Sequence, residues 1–229
     1  DKLRFSYVDG SYWSLWVEVN FYVIIGFLYF LSPKNLIRNY LILCVIGIPI
    51  FVLFSSPMGH VVLGKFVSQE NVLYMKRVSR VFVFFHECLW FLLGLYLYKL
   101  YKNKKDYKYV VYMLITLLAL IVWQRDWYAT FISIAIVLVY FIFIYKPEYL
   151  SLLANKYICK LGVASYSMYL IHFYLGVVFI EQIFEFLGKE LYIVPILMMG
   201  VVYLFGLLSY KYLETPLANL LKRILLKSK

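Results

Sequence analysis

The chain has 229 residues, of which 64% are hydrophobic, 21% aromatic and only 15% charged, with a formal net charge of +11. That composition excludes a water-soluble domain with an ordinary core. It also argues against a nucleic-acid partner, because the basic residues lie in short loops between apolar runs and leave no soluble basic face.

Taken in chain order, seven runs are apolar enough to cross a bilayer: Tyr12–Leu31, Tyr40–Phe54, Val81–Tyr101, Val110–Gln124, Trp127–Tyr145, Gly162–Ile180 and Leu191–Tyr210. The fold class expected is therefore all-α, a polytopic helical membrane protein. Pro33, Pro57 and Pro147 each follow a run that they cannot continue. Pro195 is tolerated in the first turns of the last span, whereas Pro49 lies inside the second and is expected to kink it. Aromatic residues mark several span ends, as at Tyr12-Trp13, Trp127-Tyr128 and Tyr210, where amphipathic rings meet the lipid–water boundary. Cys44, Cys88 and Cys159 form no C-x-x-C pair and support neither a disulfide framework nor a metal site.

Of the 23 Lys and Arg, eight fall in one set of loops and fifteen in the other, the larger set including Lys99, Lys102, Lys104, Lys105 and Lys222. The positive-inside rule puts the larger set in the cytoplasm, with the carboxy terminus inside and the first residue outside. Basic loop residues then also meet anionic headgroups of the membrane lipid. Because Asp1 begins outside with no initiator Met or leader, residues 1–229 read as one membrane domain that lacks further spans upstream.

A few ionisable residues fall within these spans. With a rise of about 1.5 Å per residue, Glu18, His86 and Glu87 lie roughly 9 Å below the outer surface, and His172 about 12 Å below it. A charge at such depth is costly and has a partner or a task. Ser14, Glu18 and Tyr22 share one helical stripe, and Ser165, Tyr169 and His172 share another. Both stripes are expected to face protein or a water-filled cavity, either each other or a common one. Glu18 reads as a functional group ahead of a packing anchor, whereas His172 reads equally as either. His86-Glu87 reads as a structural hydrogen bond, Arg77-x-x-Arg80 as an interfacial anchor, and Glu214, near Lys211, Lys222 and Arg223, as half of a helix-end ion pair.

Three segments together resemble the acyltransferase 3 family of integral membrane O-acyltransferases, the O-acetyltransferase type. Residues 9–22, DGSYWSLWVEVNFY, look like its W-S-L-x-V-E-x-x-F-Y signature. Residues 162–172, GVASYSMYLIH, are similar to its G-x-x-S-Y-S-x-Y-L-x-H element, and Glu214-Thr215-Pro216 to its closing E-x-P. Trp90-Phe91-Leu92-Leu93-Gly94 resembles a weaker feature. The family has about ten spans of bilayer-crossing length, so the resemblance makes this chain the carboxy-terminal portion. The family's catalytic histidine and R-x-x-R element precede the segment seen here, so neither role is carried onto His172 or onto Arg77 and Arg80.

The resemblance implies acyl transfer, commonly of acetyl, from a cytoplasmic acyl-CoA donor to a saccharide hydroxyl at the outer face of the cell membrane. No bound cofactor or metal is expected. Such chemistry needs a base at the acceptor hydroxyl and donors for the developing oxyanion. Glu18 is the candidate to orient the base or contact the sugar, and His172 and Tyr169 to donate to the acyl oxygen or hold the acceptor. Trp13, Ser14, Tyr22 and Ser165 are the further substrate-binding candidates. A polysaccharide-precursor transporter or flippase, and a non-catalytic membrane scaffold, are the alternatives, although no inverted repeat supports the former.

Overall fold

The computed structural model describes residues 12–66, 68, 71, 74, 82–187 and 193–226. Among them there is no strand, and the chain is an all-α, multi-pass helical membrane protein. Four helices are long and apolar enough to cross a membrane: Trp13–Leu31, Pro33–Ser55, Trp127–Tyr145 and Ile193–Ile224. A bent pair, Lys156–Ile171 with Leu175–Glu185, makes a fifth when taken as one broken span. The Arg77-x-x-Arg80 element, Val81, and residues Asp9–Ser11 of the first motif lie outside the described residues.

The described chain groups into two compact units, although the sequence offers no linker between them. Ser14–Leu150 make up the first, and the residues from Ser151 onward, with Tyr12 and Trp13, make up the second.

The first unit comprises α1 (Trp13–Leu31) from Ser14 onward, α2 (Leu36–Ser55), α3 (Pro57–Leu63), α4 (Phe84–Lys102), α5 (Lys108–Gln124) and α6 (Trp127–Tyr145). The short turn Pro33–Asn35 leads into α2, which continues as α-helix through Pro49 to Ser55. Ser56 ends it and caps α3, its hydroxyl accepting from the Gly59 amide at 3.0 Å. The expected third span forms α4, which carries Glu87 in its first turn and Lys99 and Lys102 in its last. It pays for that polarity by being central: Phe84, Cys88, Leu92, Leu93, Tyr96 and Leu100 are buried against α2 and α5. Tyr40 of α2 is wholly buried there and donates to the Cys88 carbonyl at 3.1 Å. Phe21 of α1 stacks on Phe91 at 4.2 Å and meets the Tyr40 ring edge-on.

Two residues reverse the chain between α5 and α6. Arg125 takes a left-handed conformation (φ 52°, ψ 23°) as the C-cap of α5. Asp126 then caps α6, its carboxylate accepting from the Tyr128 and Ala129 amides at 3.3 Å each.

The second unit comprises α7 (Lys156–Ile171), a π-helical segment His172–Val178, α8 (Phe179–Leu187), α9 (Ile193–Ser209), a second π segment Tyr210–Glu214, and α10 (Thr215–Leu226). Asn155 caps α7 by accepting from the Tyr157 amide at 3.0 Å. The sequence pattern describes one straight span over Gly162–Ile180. The structure instead turns by 69° between Lys156–Ile171 and Leu175–Glu185. Helices α7 and α9 are the principal pair, meeting where Gly206 sits against Met168 and the Ala164 carbonyl. Small residues allow such close approach, which drives helix pairing in lipid.

A Cβ at Gly206 would collide with Met168 Cγ, whereas one at Gly200 in the same helix meets open space. Gly206→Ala is therefore expected to cost about 1–3 kcal/mol through overpacking, despite the gain in helix propensity. Gly200→Ala is expected to be neutral or stabilising, and thermal unfolding of the purified protein in detergent checks both.

Candidate functional site

Helix α7 has two working faces. One packs on α9, with Ala164 and Ser167 fully buried. The other carries Ser165, Tyr169 and His172, which line a cavity of about 580 Å³ together with Met168, Met198 and Tyr203. The stripe expected from i, i+4, i+7 spacing thus does face a cavity, and the second unit alone supplies all of its lining.

The end of α7 sets the chemistry. Carbonyls in a last helical turn lack intrahelical partners and must find others. The Tyr169 carbonyl is taken by His172 Nδ1 at 2.5 Å, and the Leu170 carbonyl by the Tyr12 hydroxyl at 3.3 Å. An imidazole that donates from Nδ1 carries its lone pair on Nε2, so this bond selects the tautomer in which Nε2 is an acceptor. The Tyr169 and His172 rings lie 5.4 Å apart and tilted by 37°. Ser165 Oγ donates back to the Gly162 carbonyl at 2.7 Å, leaving its oxygen to accept. The wall therefore presents a histidine acceptor, a serine oxygen and a phenol on an otherwise apolar, methionine-rich surface.

Behind that wall, Ser167 joins the second and third sequence motifs. Its hydroxyl bonds to the Glu214 carboxylate and to Ser209 Oγ at 2.9 Å. A hydroxyl has one proton, which goes to the carboxylate, so Ser209 donates to Ser167. The helix-end ion pair expected for Glu214 is not present among the described residues, where Glu214 instead serves as an internal acceptor linking α9's extension to α7.

In the first unit, Glu18 accepts from the Tyr22 hydroxyl at 2.6 Å, as their i, i+4 spacing allows. Val17 and Phe21 face the core, whereas Glu18 is half-buried at the edge of that face and Tyr22 is exposed. Trp13 is exposed and Ser14 half-buried at the start of α1, the former grouping with the second unit and the latter with the first. The structure thus brings together Glu18 with Tyr22, and Ser165 with Tyr169 and His172. The structural reading of His86-Glu87 agrees with the geometry, Nδ1 lying 2.7 Å from the carboxylate. Sequence reasoning missed Ser167, Ser209 and Tyr203. Ser167 lies within a quoted motif, but nothing along the chain signals a partner 47 residues away.

No protein-family model matches this chain, and no curated protein or solved structure does so either.

Ser167→Ala strands the half-buried Glu214 carboxylate, and a hydrogen bond to a charged group contributes about 1.5–3 kcal/mol. A loss at the lower end of that range is expected for the single variant. Adding Glu214→Gln to it should cost much less than Glu214→Gln alone, a coupling that a double-mutant cycle on unfolding midpoints measures.

Proposed function

We propose that the chain belongs to a membrane O-acyltransferase that moves an acyl group, acetyl in the simplest case, from acyl-CoA to a hydroxyl of a cell-surface or exported saccharide. The observation that carries this reading is the tautomer of His172, an acceptor nitrogen held by its own helix end on the wall of a 580 Å³ cavity. That size suits a small ligand, and a mostly apolar lining with a few oriented polar groups is how such ligands are held. The order of the three sequence motifs supplies the reaction class.

In this mechanism the sugar hydroxyl donates to His172 Nε2, which aligns its oxygen lone pair with the thioester carbonyl. Attack forms the new C–O bond, the C–S bond breaks, and CoA departs as the thiol with the proton from the hydroxyl. Tyr169 donates to the oxyanion as it develops. Glu18, already holding the Tyr22 hydroxyl, has lone pairs left on its carboxylate for a second hydroxyl. The protein sits in the cell membrane with its carboxy terminus in the cytoplasm, on the side of the acyl-CoA pool.

Glu18→Gln and His172→Gln should each lower transfer about a hundredfold, the scale on which misplacement of a reacting group acts. Mass spectrometry of ester-linked acyl groups on cell-surface glycans checks this, comparing a deletion strain with complements carrying wild type or either variant. Loss of one acyl mass on deletion, restored by wild type but not by well-expressed variants, is the expected result. An unchanged acyl profile with lost export of the polysaccharide would instead favour a precursor transporter.

A further inference from the structure

A second cavity, of about 740 Å³, lies wholly within the first unit, among α2, α4 and α5. Its lining is graded along its length. At one end α2 finishes, α4 begins and α5 finishes, bringing Ser55, Ser56, His86, Trp123 and Arg125 together. Toward the other end the lining is hydrocarbon, from Leu41, Val45 and Ile48 on α2 and Ile115 on α5.

The polar end is built from donors. Arg125 ends α5 in a left-handed conformation that residues other than glycine rarely adopt, and it lines the cavity. No carboxylate pairs with it among the described residues, since neighbouring Asp126 spends its oxygens on the cap of α6. The Trp123 indole N–H is buried with no acceptor among the described residues, a state that a native structure rarely leaves unexplained. Ser56 Oγ accepts from an amide, so its proton is available to give. His86 lies beside Trp123 at 5.7 Å, and its Nδ1 meets the Glu87 carboxylate.

The rim decides between a soluble anion and a lipid. Val45, Ile115 and Val122, which line the cavity from α2 and α5, are exposed apolar residues, so the open side of the cavity is hydrocarbon. We propose that this cavity seats one anionic phospholipid, its phosphate at Arg125 and the Ser56 hydroxyl, and one acyl chain along α2 and α5. The phosphate is the anion that both a lipid headgroup and free phosphate share. The apolar floor and lateral rim select the lipid.

The test uses the full chain in nanodiscs of phosphatidylglycerol and phosphatidylcholine in equal amounts, followed by native mass spectrometry. One phosphatidylglycerol per chain should be retained, in preference to phosphatidylcholine by about tenfold or more, the worth of one charge-assisted contact. Arg125→Gly removes the guanidinium yet favours the left-handed turn, so it should fold with an unchanged or higher unfolding midpoint and lose about tenfold in retention. Arg125→Lys should keep most of the retention. Lys108→Gln, which removes a cation paired with Asp106 at 3.2 Å in another loop, should keep all of it. Equal retention of the two lipids, or undiminished retention in a folded Arg125→Gly protein, would overturn the proposal. Displacement of the lipid by millimolar inorganic phosphate would overturn it as well, assigning the site to free phosphate.

Discussion

A helix in hydrocarbon has no water to which a stray carbonyl can turn, and the bend after Ile171 is organised around that constraint. The α-helix stops, a π segment begins, and two carbonyls of the last turn need donors. Tyr12 supplies one and His172 the other. The second of these bonds is both structural and chemical, because meeting the backbone's need fixes which imidazole nitrogen can accept. A substitution at His172 therefore removes a helix terminus as well as a reactive group. The first unit uses the same device without the chemical consequence: His60 Nε2 lies 2.8 Å from the Phe54 carbonyl near the end of α2. There the bond ties the histidine of α3 to the end of the preceding helix.

The same constraint explains which helix carries the polar residues. In α4, with Glu87, Lys99 and Lys102, the charges sit in the terminal turns, and its buried middle packs on two neighbours. The apolar outer surface is left to α1, α2, α5 and α6, whose exposed residues are almost all aliphatic or aromatic. Because lipid tails are as apolar as leucine, these surfaces gain nothing by packing. Association in the first unit rests instead on Tyr40 reaching the Cys88 carbonyl and on the Phe21–Phe91–Phe84 stack.

Much of the fold was legible along the chain. The span Trp127–Tyr145 coincides with α6 to the residue, since Asp126 caps its start and Pro147 follows its end. Ser165, Tyr169 and His172 could be assigned to one wall from spacing alone, because α7 is regular up to Ile171 and a regular helix fixes azimuth. Tyr22 and Glu18 met for the same reason. The second and fourth spans read shorter than α2 and α5, whose flanking turns are helical but polar at Arg38, Asn39 and Lys108, and hydropathy sees only the apolar part.

What was not legible depended on departures from the regular helix. In an α-helix a residue five positions on stands about 140° round the axis, so Ser209 and Glu214 would point apart. In a π turn the i to i+5 bond places it one turn along the same face. The segment Tyr210–Glu214 is such a turn, and the Thr215 amide bonds to the Tyr210 carbonyl. Glu214 is thereby carried round to the face of Ser209, where one serine hydroxyl on α7 reaches both. Read with α-helical geometry, Glu214 falls beside Lys211 and invites an ion pair. The carboxylate's real partner exists only because the helix widens its ring by one residue.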